Sequence, residues 1–507
     1  MNPLKIESTA IDIRPNASRV LNRPFIPTDP GRVSKTIERL LSFTETESAV
    51  QLTSLRTEFD GRHPNLERSW LRQFEKVKAY LSNKESLSEN RRLLIGAFFT
   101  GEYALESAAL FNPSIVPHPD QTNLENGALR FILTLRAVGE GHISSLEFRS
   151  GIIGKNYSIQ LDETSPLVTA PDTDSNPAFP RNIFLHRLRE KGLENNWSRS
   201  VMNRLGATFT RTELDESMQR AAQQTQLHTD DVKRAIECVH WLVESNYEVS
   251  FSPSVPLSQR VVFPVSLNES NGIEDARFVR FVDEDQSATY YATYTAYDGR
   301  KILPQLIETT DFLRFRIRIL NGPAVRNKGM ALFPRRIRGR YAMLSRYDDE
   351  NLYLTLSDDL HFWSDPELLM QPMRSWEFVK IGNCGSPIET DAGWLVLTHG
   401  VGPMRKYCIG AALLDLENPL KIIGRLNEPL LEPTADQTNG YVPNVVYTCG
   451  ALAFGDRLVL PYAQNDTTTK IVTVELNSLL AALQSSPLGD KGFFEGHLTA
   501  QQASPYH

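Results

Sequence analysis

Apolar and polar positions alternate along this chain in three textures. Residues 1 to about 30 are rich in Pro and Asn and read as an extended arm. From Arg32 to about Leu110 apolar residues return at spacings of two to four, as in Leu40, Leu41, Phe43 and then Val50, Leu52, Leu55, Phe59. That is the period of a buried helix face and predicts three or four helices. Ser88 stands at an N-cap position before Glu89-Asn90-Arg91-Arg92 and the apolar run Leu93-Leu94-Ile95. Loose alternation then predicts strands over Leu129–Leu135 and Ile143–Phe148, divided by the turn Gly139-Glu140-Gly141. A second helical stretch runs from about Pro180 to Asn246. Thr212 and Thr229 hold N-cap positions there, and Val232, Ile236, Val239, Trp241 and Leu242 mark an amphipathic face.

From Tyr247 the pattern is that of short strands punctuated by turns. The predicted strands include Arg277–Val282, Thr289–Tyr297, Phe312–Ile319, Tyr341–Arg346, Leu352–Ser357, Gly393–Thr398, Cys408–Leu414, Val442–Cys449, Arg457–Tyr462 and Ile471–Leu476. Asp298-Gly299, Arg338-Gly339, Asp391-Ala392-Gly393 and Gly455-Asp456 supply turn chemistry. Such spacing fits a sandwich, a barrel or a propeller. No clean repeat of roughly 40 residues chooses among them. Asn477–Leu483 reads as a short helix followed by a polar tail.

Composition narrows the picture. The 507 residues are 41% hydrophobic and 23% charged, enough apolar material to exclude a wholly disordered chain. Lys and Arg number 54 against 61 Asp and Glu, a net charge of −7, which argues against a nucleic-acid partner. Cys238, Cys384, Cys408 and Cys449 are scattered with no C-x-x-C pair, so neither a disulfide framework nor a zinc site is expected. Met1–Arg23 has no apolar core of a signal peptide, and runs such as Leu93–Phe99 fall well short of the roughly 18 residues of a membrane helix. The expectation is a cytoplasmic protein with no membrane partner.

Three features carry candidate chemistry. Asn271-Gly272-Ile273-Glu274-Asp275-Ala276-Arg277 sets two acids and an Arg at the start of a strand, where each tunes the others' ionisation. A solvated turn with a surface ion pair would read the same. Lys328, Arg346, Lys380 and His399 stand near strand ends beside glycines or aromatics and could converge on an anion, although each alone reads as an ordinary charge. Tyr290, Tyr291, Tyr294, Tyr297, Trp363, Trp376, Trp394, Tyr441 and Tyr462 offer either a sugar platform or core packing. No Walker A loop, G-x-S-x-G elbow or H-E-x-x-H is present.

Taken in order, these segments resemble glycoside hydrolase family 130, the β-mannoside phosphorylases and related β-mannosidases. Gly272-Ile273-Glu274-Asp275-Ala276-Arg277 is similar to the family's G-x-E-D-P-R, with Ala276 in place of Pro. Tyr291 to Tyr297 is similar to Y-x-x-Y-T-A-Y, and Asn327-Lys328-Gly329 with Leu332-Phe333-Pro334 to N-K-D and its trailing F-P. Ser357-Asp358-Asp359 with Trp363, Trp376-Glu377 with Lys380-Ile381-Gly382, Pro387, Gly393-Trp394-Leu395 and His399-Gly400-Val401 continue the series. Phe111-Asn112-Pro113-Ser114 and Leu133-Thr134-Leu135-Arg136 resemble its first-blade segments.

The resemblance implies a mainly β fold, a five-bladed β-propeller with an α-helical N-terminal extension and a helical insertion after the first blade. The implied divisions are 1–105 for the arm and extension, 106–170 for the first blade, 171–249 for the insertion, 250–484 for the remaining propeller and 485–507 for a tail. It implies inverting phosphorolysis of a β-mannoside to α-mannose 1-phosphate and a shortened acceptor. Inorganic phosphate is then co-substrate, with no cofactor and no metal. Asp275 matches the catalytic acid. Lys328, Arg346, Lys380 and His399 match phosphate-holding positions. Asn112, Arg136, Glu274, Arg277, Tyr294, Tyr462 and Asp466 are the implied sugar-side residues, although Ala463-Gln464 departs from the family's Y-G-x-x-D. Gly329 for Asp removes a carboxylate next to Lys328. The extra helices are expected to serve homo-oligomerisation, at least in part. Two alternatives stand beside this reading. One is a hydrolytic β-mannosidase, with Glu274, Glu377 or Glu389 as the second carboxylate. The other is a non-catalytic carbohydrate-binding propeller.

Overall fold

The computed structural model describes residues 4–81, 87–223, 229–434 and 440–486. Of the expected tail, 485–507, only 485 and 486 are described, Ser485 as the last residue of the helix Leu476–Ser485, and the rest lies outside the described residues. The fold is mainly β. Among the described residues the strands form six sheets, and helices gather in the two stretches where the apolar period is helical, with one more at Leu476–Ser485, where a short helix is expected.

The N-terminal helices are Pro30–Leu41, Glu45–Phe59, Leu66–Val77 and Glu89–Phe98. Thr44 opens the second with a reciprocal capping box to Glu47, and Ser88 caps the fourth through Arg91 N. Val33, Ile37, Leu52, Trp70, Phe74, Leu93 and Leu94 give this group its own core. The second stretch comprises Arg181–Glu190, Asn196–Met202, Arg211–Ala222 and Asp230–Ser245, packed around Phe184, Trp197 and Leu242. Its third helix is capped by Thr210, in a capping box with Glu213, and not by Thr212. Thr212 Oγ1 instead donates to Asn176 Oδ1.

The largest sheet contains two antiparallel meanders. The first is Ala109–Pro117, Leu129–Val138 and Ser144–Ile153; the second is Gly272–Val282, Ala288–Tyr297, Ile302–Thr309 and Arg314–Ile319. One parallel pair, Gly272 with Ser144, joins them. The strand Ile302–Thr309 was absent from the sequence reading, where Pro304 obscures it. Pro304 pairs with Thr295 on one side only, since the ladder to Arg314–Ile319 begins at Gln305, so its missing N–H costs no bond there. Further on come a sheet built on Tyr341–Ser345 and Leu352–Ser357, and another built on Gly393–Val401 and Tyr407–Leu414. The last sheet holds Arg457–Gln464 and Thr468–Glu475.

The N-terminal arm is not a free appendage. Its strand Ile6–Ile13 pairs antiparallel with Thr468–Glu475, and Ile11 and Ile13 pack on the core beneath. Arg19, fully buried, anchors the arm a second time. Its guanidinium lies 2.7 Å from Glu106 and 2.6 Å from Glu147, and Arg149 closes the same four-membered charge cluster. Buried charges of this kind are sustained only when paired and hydrogen-bonded.

Candidate functional site

Two β-bulges build the centre of the site. One lies between Phe111 and Ser114 and turns Asn112 into a left-handed conformation, φ +49°. The other lies between Glu274 and Arg277 and does the same to Asp275, φ +54°. A bulge re-aims a side chain out of the normal alternation, and Asn and Asp tolerate the left-handed region better than most residues. The two re-aimed side chains meet: Asn112 Nδ2 donates to Asp275 Oδ1 at 2.7 Å.

Cations surround this pair. Arg136, opposite Phe111 in the ladder, donates Nη1 to Asp275 Oδ1 at 3.2 Å and Nη2 to Glu274 Oε1 at 2.8 Å. Lys328 Nζ donates to Glu274 Oε2 at 2.6 Å. Arg277 is buried behind the bulge. It donates to the Asp275 carbonyl, the Cys384 carbonyl and Tyr447 Oη, each at 2.8 Å, and so fixes the bulge to neighbouring segments. Burial pushes the Asp275 carboxyl upward, but Arg136, Arg277, Lys328 and the Asn112 amide outweigh it and hold it below the usual carboxylate range. Asp275 is therefore ionised in the free protein.

Arg346 follows the strand Tyr341–Ser345 and threads between two glycines. A Cβ at Gly329 would lie 2.6 Å from Arg346 Nε, and one at Gly382 would lie 2.4 Å from Arg346 Cδ. The absence of both side chains makes the slot. Arg346 Nε donates to the Lys328 carbonyl at 3.2 Å, and Nη1 donates to His399 Nε2 at 3.3 Å. His399 is fully buried. Burial, with the charges of Arg346, Arg277 and Lys380, holds its imidazole well below the ordinary range, so it is neutral. This corrects the expectation of four cations. His399 supplies an acceptor that orients Arg346, not a positive charge. Lys380 Nζ reaches Asp349 Oδ2 at 3.1 Å.

These groups open on one cavity of about 330 Å³. Of the residues singled out in the sequence, Asn112, Arg136, Asp275, Lys328, Arg346, Lys380 and Asp466 line it. Glu274, Arg277 and His399 stand behind the lining, in contact with it. Tyr294 and Tyr462 are placed elsewhere, which corrects their assignment. Tyr294 is buried with its hydroxyl donating to Glu269 at 2.6 Å, and Tyr462 packs in the core of the last sheets. Trp363 and Trp394 are also core residues with no exposure. Of the other proposed carboxylates, Glu377 is buried against Arg425 and Glu389 pairs with Arg335.

Asn327 enters the sequence analysis only as part of the N-K-D-like segment, and Asp349, Arg405, Tyr407, Val445 and Tyr447 of the lining were not singled out there. The structure offers a signal that sequence does not. Asn112, Asp275, Asn327, Asp349, Arg405 and Asp466 all have φ between +49° and +63°. Left-handed non-glycine residues are strained, and they cluster where function over-determines the backbone. Asp466 differs from Asp275 in ionisation. Burial and the Asp275 charge push its carboxyl up to about 6, against the pull of Arg136 and Arg405. Among the described residues no group of His, Cys, Asp and Glu is arranged to hold a metal, and no helix is long and apolar enough to cross a membrane.

Comparison with known proteins converges on one group. A family model described as beta-1,4-mannooligosaccharide phosphorylase, of glycoside hydrolase family 130, matches residues 250–485. A 1,2-beta-oligomannan phosphorylase of Thermoanaerobacter sp. strain X514 is 35% identical over 229 residues, 43% of this chain and 74% of that protein. A beta-1,2-mannobiose phosphorylase of Listeria innocua is 32% identical over 233 residues, 44% of this chain and 63% of that protein. The solved complex of a Listeria innocua beta-1,2-mannobiose phosphorylase with beta-1,2-mannobiose aligns with 75% of this chain and 93% of its own, at 21% identity and a TM-score of 0.44.

Proposed function

The chain belongs to glycoside hydrolase family 130, and from that premise we propose that it is a glycoside phosphorylase that cleaves a β-mannoside with inorganic phosphate. The product is α-mannose 1-phosphate, formed with inversion, together with a shortened acceptor. The observation that carries the proposal is the meeting of Asp275 with Lys328, Arg346 and Lys380 on a single cavity. The architecture proposed with it is a five-bladed propeller, counting the two meanders of the largest sheet as separate blades.

Phosphate is its own nucleophile. One of its oxygens forms the new bond to the anomeric carbon, the bond from that carbon to the glycosidic oxygen breaks, and the departing oxygen takes a proton. Asp275 is the proposed source of that proton, directly or through a sugar hydroxyl. The same cations that hold Asp275 ionised in the free protein supply the binding charge for phosphate. A dianion set among them offsets their field and raises the Asp275 carboxyl toward protonation. Arg136 and Asn112 then orient the acid, and Arg277 fixes the bulge from which it projects. His399 positions Arg346. The proposed setting is the cytoplasm, where a phosphorylated product is retained.

Hydrolysis is the second reading, and Asp466 favours it. A carboxyl pushed up to about 6 and lining the cavity with an ionised acid has the character of a base for water. One experiment separates the two. The protein is incubated with β-1,2-mannobiose or a β-1,4-mannooligosaccharide, with and without phosphate, and products are followed by 31P and 1H NMR. The names of the relatives make the 1,2 linkage the first to try. Phosphate-dependent appearance of α-mannose 1-phosphate is the expected result. Mannose released at an equal rate without phosphate would establish hydrolysis instead.

A further inference from the structure

We propose that Arg405 is a second guanidinium ligand of phosphate, acting with Arg346 to match the two negative charges of the incoming dianion; the inference rests on the phosphorolysis reading above. It follows from a charge account of the cavity. Arg136, Lys328 and Lys380 are already committed to carboxylates, at 2.6–3.2 Å from Glu274, Asp275 or Asp349. Each of these three therefore shares its charge between a carboxylate and an incoming anion. Arg346 meets only a backbone carbonyl and the neutral His399. Arg405 also lines the cavity, and among the described residues it forms no ion pair or hydrogen bond through its side chain. Arg405 acts on the Asp466 carboxyl across the cavity but is not bonded to it, so Arg346 and Arg405 are the two guanidinium groups of the lining whose donors meet no carboxylate among the described residues.

The local backbone supports the same assignment. Arg405 lies in the turn Pro403–Arg405 after the strand Gly393–Val401, and both Met404 and Arg405 are left-handed, φ +57° and +55°. Neither residue type favours that region, and two in succession form a contorted turn that an exposed loop has no packing reason to keep. Its result is an Arg brought from the surface to the cavity lining. Arg405 is exposed where Arg346 is buried. An anion arriving from solvent would thus meet Arg405 first and be handed inward to a fixed partner. Guanidinium suits the task because its planar donors grip phosphate oxygens in pairs.

The test uses the full chain with Arg405→Ala and Arg405→Lys, each checked for an unchanged melting temperature. Initial rates are measured with phosphate and mannoside varied separately. Arg405→Ala should raise KM for phosphate roughly 10- to 100-fold, the range for losing a charged hydrogen-bonding partner. KM for the mannoside should stay within about twofold, and Arg405→Lys should recover part of the loss. A rise in mannoside KM with phosphate KM unchanged would overturn the inference and make Arg405 a sugar contact. Titration calorimetry with inorganic phosphate alone, on sugar-free protein, supplies a readout independent of turnover. Weaker binding by the variant supports the assignment, and equal binding by wild type and variant overturns it. If the wild type turns over without phosphate, the phosphorolysis reading fails, and the calorimetric comparison still decides for or against Arg405 as an anion ligand.

Discussion

Gly329→Ala puts the placement of Arg346 under direct strain. Gly329 has φ +92°, and the added methyl would sit 2.6 Å from Arg346 Nε and 3.3 Å from its Cζ. On the other side Arg346 Cδ already occupies the space that a Gly382 side chain would need, so the guanidinium has little room to retreat that way. It must give up the 3.2 Å bond to the Lys328 carbonyl. A hydrogen bond from a charged group contributes about 1.5–3 kcal/mol, and a left-handed alanine costs about 1–2 kcal/mol more. The variant should therefore lose about 2.5–5 kcal/mol of stability. Gly339→Ala is the control. Its φ is +78°, and a Cβ there would meet nothing within 4 Å, so it reports backbone strain alone. If Arg346 also holds phosphate through a bond of the same strength, KM for phosphate should rise roughly 10- to 150-fold. Denaturant unfolding measures the first effect, and initial rates at saturating mannoside measure the second. A Gly329→Ala protein no less stable than Gly339→Ala, with phosphate KM within twofold of wild type, would refute the reasoning.

Two further substitutions probe the carboxylates. Asp275→Asn keeps a side chain at home in the left-handed region and able to accept from Asn112, so the fold should persist while turnover falls about 10²- to 10⁴-fold; a variant retaining a tenth or more of wild-type turnover would remove Asp275 from the role of acid. Asp466→Asn should alter the pH dependence of stability. The folded protein holds the Asp466 proton at about 6, more tightly than the unfolded chain does at the ordinary value near 4. The ionised group thus weakens the fold above about pH 6, and that cost disappears toward pH 4. The melting temperature of Asp466→Asn should exceed that of wild type at pH 8, with the gain shrinking toward pH 4, and a constant difference across that range would contradict the assignment.

Much of the site was legible because its chemistry sits in contiguous segments. Glu274, Asp275 and Arg277 lie within one strand, and Lys328 and Arg346 flank short strands, so ordered motifs expose them. Helix stretches were legible for the same local reason, down to the cap at Ser88. What escaped depends on where a side chain points after folding. Tyr294 sits in a segment that reads like Asp275's, yet it faces Glu269 in the core because the bulge that re-aims Asp275 lies in the partner strand. His399 was read as a cation because sequence shows its type but not its burial. Arg405 gave no signal at all, since its relevance comes from two consecutive left-handed residues in a loop. The strand Ile6–Ile13 read as an arm because its partner, Thr468–Glu475, lies at the other end of the described chain.

That last pairing orders events in time. The strand Ile6–Ile13 has no partner until Glu475 has left the ribosome, some 460 residues later by the register Ile6 with Val474. At about 5–20 residues per second the wait is roughly 25–90 s. Throughout it the backbone edge of Ile6–Ile13 lacks its ladder, and the nascent chain carries an unpaired strand edge of the kind that recruits wrong partners. Completion of the last sheet thus becomes a checkpoint for synthesis. A chain truncated before Thr468 leaves Ile6–Ile13 without its partner strand, and so presents an unpaired edge to cellular quality control.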